Sequence, residues 1–235
     1  MKLSQQVIDR TCLEKEIYND VLSLDDKHIL ELGCGGAEIT RDIATSGKNR
    51  VVTAFEVDEK QHQKNLQITD LANVSFKTGG AENIPVDNNS QDIVFMFKSL
   101  HHVPEDLLDK ALQEINRVLV PGGKAYISEP VFAGEFNDVI RLFHDEQQVR
   151  IEAFKAIETA IDTELFSLQE EIFFNITVNF KSFSEFEEKL LNVTHTDHHL
   201  SKELYDSVKS KFELTFSEND GQFIAPMRVD LLQAI

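Results

Sequence analysis

Three glycines, Gly33, Gly35 and Gly36, lie between a short apolar strand pattern and the start of a helical pattern. Glycine lets the backbone turn sharply there and approach a ligand closely, beside the free N–H groups of the helix start. Glu38 occupies the third glycine position of the dinucleotide fingerprint, where its carboxylate disfavours a pyrophosphate. Glu56 ends the next strand pattern, where a carboxylate accepts hydrogen bonds from ribose hydroxyls. The spacing predicts a nucleoside site that is not arranged for phosphates.

A second group of reactive side chains follows the fourth strand pattern. His101 and His102 carry imidazoles, whose ordinary pKa suits proton transfer near neutral pH. Lys98 precedes them and is expected to pair with Glu129 or with a substrate anion. Glu129 ends the fifth strand pattern at the edge where α/β sheets bind ligands, although a solvated strand end is an equal alternative.

Metal binding and disulfides are not expected. The only cysteines, Cys12 and Cys34, offer neither a disulfide framework nor a cysteine-based zinc site. His195, His198 and His199 stand close together, and two of them would share a face in a helix, but the segment has the pattern of a solvated loop. The sequence therefore predicts no metal site.

The elements that must position these residues alternate along the chain. Short connections between them predict right-handed βαβ units and a doubly wound, mostly parallel sheet. After Pro130 the pattern changes to a helical insert, followed by strict alternation that indicates an antiparallel pair at the sheet edge. Strands are predicted at 28–32, 50–56, 74–78, 92–97, 124–129, 172–180 and 223–231, and helices within 1–25, 38–46, 59–68, 104–118, 134–164, 184–192 and 201–215.

Composition limits the partners. The 235 residues include 23 basic and 41 acidic side chains, a net charge of −18 without any basic run. Such a surface repels nucleic acid and anionic membranes. The longest apolar run, 93–97, is too short to span a bilayer, and the N-terminus lacks the pattern of a signal peptide. We expect a soluble, cytoplasmic protein.

Residues 28–130 resemble the class I S-adenosylmethionine-dependent methyltransferases. The segment 31–36 (Glu-Leu-Gly-Cys-Gly-Gly) looks like their first motif, and Glu56 matches their ribose-binding acid. Further segments that resemble family motifs follow in the family's order, at 78–85, 89–94, 100–103 (Leu-His-His-Val) and 116–123. The resemblance implies a Rossmann-like methyltransferase fold, S-adenosylmethionine as cofactor and methyl transfer to a small molecule.

The resemblance also implies a set of cofactor-binding residues. The backbone of Gly33 and Gly35 would pack against the methionine part of the cofactor, and Glu31 and the carbonyl of Phe97 would attract its ammonium. Val57 would cover one face of the adenine. The full expected set is Glu31, Gly33, Cys34, Gly35, Glu56, Val57, Ala81, Glu82 and Phe97.

Two positions depart from the family pattern. Ala37 stands where the family has its third loop glycine, a change that a slightly wider turn accommodates. Gly80 stands where many members have an acid that contacts the adenine amino group. Either Glu82 or the backbone of Ala81 would then read the adenine.

We expect one domain over 1–235, with a cofactor-binding core at 28–130, an insert at 131–216 that closes over the acceptor, and a terminal edge strand at 222–235. The methyl group would go to an oxygen or nitrogen atom. Alternatives are a non-catalytic cofactor-binding partner subunit and a nicotinamide-dependent oxidoreductase, which Glu38 disfavours. The apolar insert also fits a homodimer interface. Candidate catalytic residues are His101 and His102, and candidate substrate contacts are Lys98, Glu129, Arg141, Phe143 and His144.

Overall fold

The computed structural model describes residues 1–192 and 200–235 and contains a seven-stranded sheet. Its strands are β1 His28–Leu32, β2 Val51–Glu56, β3 Val74–Thr78, β4 Gln91–Phe97, β5 Leu119–Pro130, β6 Phe166–Asn179 and β7 Gln222–Ala234. They lie in the order β3-β2-β1-β4-β5-β7-β6. β1 to β5 pair in parallel, and β7 is antiparallel to both β5 and β6. The predicted doubly wound, mostly parallel sheet with an antiparallel edge pair is confirmed.

Helices cover both faces of this sheet, which explains why β4 is buried and apolar from Ile93 to Phe97. Within the described part of the chain, no helix has the length and apolar character needed to cross a bilayer. The helices are α1 Glu14–Val21, α2 Glu38–Thr45, α3 Glu59–Asn65, α4 Leu108–Val118, α5 Gly134–Ile140, α6 Gln147–Asp162, α7 Phe183–Phe186 and α8 Lys202–Glu218, with short turns at Leu100–His102, Glu105–Leu107 and Glu187–Leu191.

The C-terminal strand occupies a different place from the one that its sequence predicts. The segment 222–235 is expected at the sheet edge, but β7 lies between β5 and β6, and β6 forms the edge. The alternation that suggested a solvated face includes Arg228 and Asp230, yet both are buried. Arg228 Nε donates to Asp230 Oδ2 at 2.9 Å, so the two charges pair inside the sheet, although Asp230 Oδ1 has no hydrogen-bond partner among the described residues.

The N-terminal segment also differs from its pattern. A helix is predicted within 1–25, but only Glu14–Val21 is helical. The preceding residues run along β6, where Asn175 donates its N–H to the Arg10 carbonyl at 2.8 Å and accepts from Cys12 N at 3.0 Å. Backbone pairing with an edge strand replaces the helical hydrogen bonds there.

The β6–β7 pair reaches past the rest of the sheet. Pro130 at the end of β5 pairs with Met227, while β6 and β7 continue to pair as far as Asn179 and Gln222. An apolar cluster separate from the two that cover the sheet faces packs on this extension, with Phe180, Phe186, Phe212 and Phe223 at its centre. The extension, with α5, α7 and α8, thus stands beyond the carboxyl ends of the parallel strands, whereas α6 packs on one face of the sheet.

Candidate functional site

A cavity of about 500 Å³ opens at the carboxyl ends of β1, β2 and β4. Of the expected cofactor-binding residues, Gly33, Gly35, Glu56, Val57, Ala81 and Glu82 line it. Its remaining wall, which the sequence did not single out as cofactor contacts, consists of Leu32, Gly79, Gly80, Met96, Lys98, Ser99, His102, Val103 and Pro104. We call it the cofactor cavity.

The glycine loop is shaped by close packing. Gly33 has φ +75°, and a Cβ there would stand 2.7 Å from the Cβ of Ser99. Ser99 is itself fixed, because its hydroxyl donates to the Leu32 carbonyl at 2.9 Å. Ala37 has φ +65°, so it adopts the left-handed conformation that glycine usually supplies, at a cost of about 1–2 kcal/mol. The turn keeps its shape without the third glycine.

Glu56 ties the loop to the end of β2. Its Oε2 accepts from Gly35 N at 2.7 Å, and its Oε1 accepts from Asp58 N at 2.9 Å. On the other side of the loop, Asn65 Nδ2 donates to the Gly35 carbonyl at 2.8 Å. Each carboxylate oxygen of Glu56 retains a lone pair for a further donor, which suits a ribose hydroxyl.

The position of Glu82 bears on the missing acid. A Cβ built on Gly80 would overlap the carboxylate of Glu82, so that carboxylate fills the space of a side chain at position 80. Both residues line the cofactor cavity. The Glu82 carboxylate therefore occupies the space that a side chain at position 80, two residues earlier, would fill.

Three expected cofactor residues do not line the cavity. Glu31 is buried and accepts from Thr40 Oγ1 at 2.6 Å, and burial raises its pKa to about 7. Burial raises the pKa of Cys34 to about 12, so its thiol stays protonated. The Phe97 ring packs with Tyr18 and Tyr126 in the core. These side chains support the loop and the sheet from beneath.

A second cavity of about 360 Å³ adjoins the first. Lys98 and His102 line both cavities. The apolar part of its wall comes from α5, from the β6–β7 extension and from the end of β5: Pro130, Val131, Ala133, Phe136, Ile140, Ile176, Val178, Leu190, Ala225, Pro226 and Met227. The polar part consists of Lys98, His101, His102, Asn137, Glu146 and Arg150. We call it the acceptor cavity.

His101 is held between two carboxylates. Its Nδ1 contacts Glu129 Oε2, and its Nε2 lies 3.6 Å from Glu146 Oε1. Glu129 also accepts from Leu100 N at 2.8 Å. Burial alone would lower the pKa of His101, but the charges and hydrogen bonds of the two carboxylates raise it to about 9. At neutral pH the His101 imidazole is therefore protonated.

The two candidate catalytic histidines consequently differ. Burial and the charge of His101 lower the pKa of His102, so its imidazole is neutral and able to accept a proton. The rings lie 4.1 Å apart, but only His102 reaches both cavities. Lys98 has φ +52° at the end of β4 and lies at the same junction. Glu129 pairs with His101, whereas Lys98 shows no ion pair among the described residues.

The predicted substrate residues on the insert are displaced from the cavity. Arg141 lies over the Phe132 ring, 5.1 Å from its centroid, Phe143 packs against Phe186, and His144 Nε2 bonds Glu146 Oε1 at 2.9 Å. The face of α5 that lines the cavity carries Ala133, Phe136, Asn137 and Ile140 instead. These positions form the apolar stripe of α5. Its helical spacing, with the single polar residue Asn137 within it, is the sequence signal that could have identified this face.

The two histidines and Glu146 form a group of potential metal ligands. Ligand atoms of His101, His102 and Glu146 lie within 4.8 Å of one another. Glu146 already pairs with Arg150 Nη2 at 2.6 Å. Burial would raise the pKa of Glu146, but the positive charges of His101 and Arg150 lower it below its ordinary value. The adjacent guanidinium disfavours a divalent cation. His195, His198 and His199 lie outside the described residues.

Residues 29–123 match the family described as "Methyltransferase domain". Curated relatives include the ubiquinone biosynthesis O-methyltransferase of Coxiella burnetii, 26% identical over 113 residues (46% of this chain, 45% of that protein). The demethylmenaquinone methyltransferase of Staphylococcus epidermidis is 36% identical over 96 residues (40% of this chain, 39% of that protein). This chain therefore matches less than half the length of each of these relatives.

Solved structures share the fold over nearly the whole chain. A putative methyltransferase of Bacillus halodurans superposes with a TM-score of 0.63 at 17% identity and covers 93% of this chain and 96% of its own. The YcgJ protein of Bacillus subtilis gives 0.64 at 14% identity, with 94% and 96% covered. At these identities the likeness concerns the fold, including the part outside residues 29–123.

Proposed function

We propose that the protein transfers a methyl group from S-adenosylmethionine to an oxygen or nitrogen atom of a small molecule. The match of residues 29–123 to the family described as "Methyltransferase domain" supports this proposal. The observation that carries the proposal is the pair of adjoining cavities that share Lys98 and His102. In-line methyl transfer requires donor and acceptor to meet at one point, and alignment supplies most of the rate enhancement. In this proposal the donor and the acceptor meet beside Lys98 and His102.

The chain's own residues divide the binding work. The Glu56 carboxylate takes the ribose hydroxyls, Val57 covers the adenine, and Glu82 accepts from the adenine amino group. The backbone of Gly33 and Gly35 packs against the methionine part. When bound, the cofactor supplies an activated methyl group on a positively charged sulfur. The residues around it bind and orient, because the reaction needs no covalent intermediate on the protein.

His102 is the proposed proton acceptor when the acceptor group carries a proton. It is neutral and lies at the junction, whereas protonated His101 holds its neighbours in place. His102→Gln should lower kcat for a protonated acceptor with little change in cofactor affinity. The pH profile of kcat should lose its acidic limb in that variant. An unchanged kcat and profile would assign His102 a shaping role only.

The insert is proposed to exclude water and set acceptor specificity. The core at 28–130 would hold the cofactor, and residues 131–216 would hold the acceptor. The acidic surface supports the expectation of no nucleic-acid partner. A cytoplasmic location and a homodimer remain predictions, and light scattering on the purified protein tests the dimer.

Calorimetry tests the proposed function directly. S-adenosylmethionine and S-adenosylhomocysteine should bind, and NAD should not. Release of S-adenosylhomocysteine in the presence of a panel of acceptors then separates an enzyme from a non-catalytic binding subunit. Tight NAD binding without any response to either sulfur compound would contradict the proposal.

A further inference from the structure

The acceptor cavity has a charge opposite to that of the protein around it. The chain carries a net charge of −18. The wall contains the cations Lys98 and Arg150 and the protonated His101. The carboxylates of Glu146 in the wall and of Glu129 behind His101 balance two of these three charges, so one positive charge remains at the site. A cationic pocket within an acidic protein concentrates anions locally and repels ammonium groups.

The carboxylate in the wall is already occupied. Glu146 Oε2 accepts from Arg150 Nη2 at 2.6 Å, and its Oε1 accepts from His144 Nε2 at 2.9 Å. A protonated amine entering the cavity would therefore find no unengaged carboxylate among the described side chains of the wall. It would also have to approach Lys98, whose positive charge no ion pair among the described residues balances.

The unsatisfied polar atoms of the wall point to the same chemistry. Asn137 Nδ2 and Arg150 Nε are buried without a hydrogen-bond partner among the described residues. Both are donors, and Asn137 Oδ1 already accepts from Arg150 Nη1 at 3.1 Å. Buried donors without partners are costly, so a wall that retains them is complementary to a ligand rich in acceptor oxygens.

We propose that the methyl acceptor is an apolar molecule whose reacting group is an acidic oxygen, namely a carboxylate, a phenol or an enol, and not an amine. This inference rests on the proposed function and narrows it. The apolar body would lie against Phe136, Ile176 and Met227, and the oxygen would lie beside Lys98 and His102. The C–O bond forms as the C–S bond of the cofactor breaks, sulfur keeps the bonding electron pair, and the proton of a phenol or enol goes to His102.

Lys98 has a specific task in this scheme. Lys98 lines both cavities and has no ion pair among the described residues, although its charge also acts on the buried Glu14 carboxylate. A cation at that point stabilises the oxyanion and lowers the pKa of a phenol or enol bound there. The non-glycine φ of +52° is the kind of backbone strain that persists where the surrounding structure fixes a functional side chain.

Two probes with the same apolar body and opposite charges test the proposal: 2-naphthoate and 2-naphthylmethylamine. Calorimetry is carried out with the cofactor-free protein and with the protein saturated with S-adenosylhomocysteine. We expect naphthoate to bind at least roughly tenfold more tightly than the amine, because Lys98 and the two unpartnered donors favour a carboxylate, whereas no carboxylate of the wall is free to pair with an amine. Equal affinities, a preference for the amine, or binding of neither probe would overturn the proposal.

Charge reversal at the junction sharpens the test. Lys98→Glu should abolish or invert the preference for naphthoate, and Lys98→Gln should weaken it while avoiding a new charge. Lys110→Glu, an exposed position on α4, makes the same change in net charge and should leave the preference intact. If Lys98→Glu and Lys110→Glu behave alike, long-range charge explains the binding and the proposed site is wrong.

Failure of this inference is distinguishable from failure of the proposed function. Binding of S-adenosylhomocysteine with no preference between the probes would remove the acceptor class and leave the methyltransferase. A preference for naphthoate without any binding of S-adenosylmethionine or S-adenosylhomocysteine would remove the methyltransferase and leave an anion-binding cavity.

Discussion

The two cavities are built from different parts of the chain. The cofactor cavity is bounded by the glycine loop, by the carboxylates of Glu56 and Glu82 and by the segment that follows β4, all within residues 32–104. The acceptor cavity is bounded by side chains from α5, α6, β6 and β7, which belong to distant segments. We therefore expect ligand binding in the cofactor cavity to depend on the shape of the backbone, so that one added carbon atom changes it. Binding in the acceptor cavity should depend on the charge of its side chains.

Gly33→Ala should have the largest effect. The added Cβ would stand 2.7 Å from the Cβ of Ser99, at φ +75°. Overpacking and left-handed strain together should lower the free energy of unfolding by about 2–5 kcal/mol. Chemical denaturation of the cofactor-free protein measures this loss.

Gly35→Ala is the matched control. Its φ is +52°, but a Cβ there meets nothing within 4 Å. It should cost only the strain, about 1–2 kcal/mol, while the methyl group enters the cofactor cavity and weakens S-adenosylhomocysteine binding. Equal stability losses at the two glycines would show that packing against Ser99 does not shape the loop.

His101, which is buried beside the acceptor cavity, should make the free energy of unfolding depend on pH. Its pKa rises from 6.5 in the unfolded chain to about 9 when folded, so the stabilisation is complete below pH 6.5 and is lost as the pH rises through about 9. That shift is worth about 3 kcal/mol at most. His101→Gln should remove this part of the pH dependence from denaturation curves.

The exposed His28→Gln provides the comparison for that experiment. It removes an imidazole without touching Glu129 or Glu146, and its denaturation curves should keep the wild-type slope with pH. A wild-type slope in His101→Gln as well would mean that the pair of carboxylates does not hold a proton on His101.

The difference between the cavities explains what the sequence could predict. The loop and Glu56 are adjacent to short strands with clear patterns, so local spacing was enough to place Gly33, Gly35 and Glu56 in one cavity. The acceptor wall depends on where α5 ends, and Arg141, Phe143 and His144 follow its last residue, Ile140, outside the wall of the cavity. β7 was placed at the edge because alternation cannot distinguish a solvated polar face from a buried pair such as Arg228 and Asp230.

Glu56→Ala should weaken the cofactor side without affecting the acceptor side. A charge-assisted acceptor for ribose is lost, and so are the bonds to Gly35 N and Asp58 N. S-adenosylhomocysteine should bind less tightly by roughly 1.5–3 kcal/mol. Binding of 2-naphthoate to the cofactor-free protein should not change.

Glu38→Ala controls for charge near the same loop. Glu38 is exposed and opens α2, so its removal makes the same change in net charge without removing a bond to Gly35 N. Cofactor affinity should stay close to that of the wild type. If both variants lose the same affinity, the effect of Glu56 is electrostatic at long range and not a contact with ribose.

The smallest expected effect concerns the adenine, and it tests whether Glu82 has replaced a missing acid. Glu82→Ala should weaken S-adenosylmethionine binding by about 1 kcal/mol, because one hydrogen bond to the amino group is lost. It should also reduce the preference for the cofactor over its hypoxanthine analogue, which lacks that amino group. Gly80→Asp alone should reduce affinity, because the new side chain would displace the Glu82 carboxylate and place a second negative charge beside it. In the double variant Gly80→Asp/Glu82→Ala the space is free again and the acid of the family motif is restored. Affinity and preference should then return together, as a double-mutant cycle can show.

If Glu82→Ala keeps the full preference for adenine, the backbone of Ala81 contacts the base instead of the Glu82 side chain. Recognition of the cofactor would then depend on the backbone at the adenine as well as at the glycine loop, in contrast to the acceptor cavity, whose wall consists of side chains.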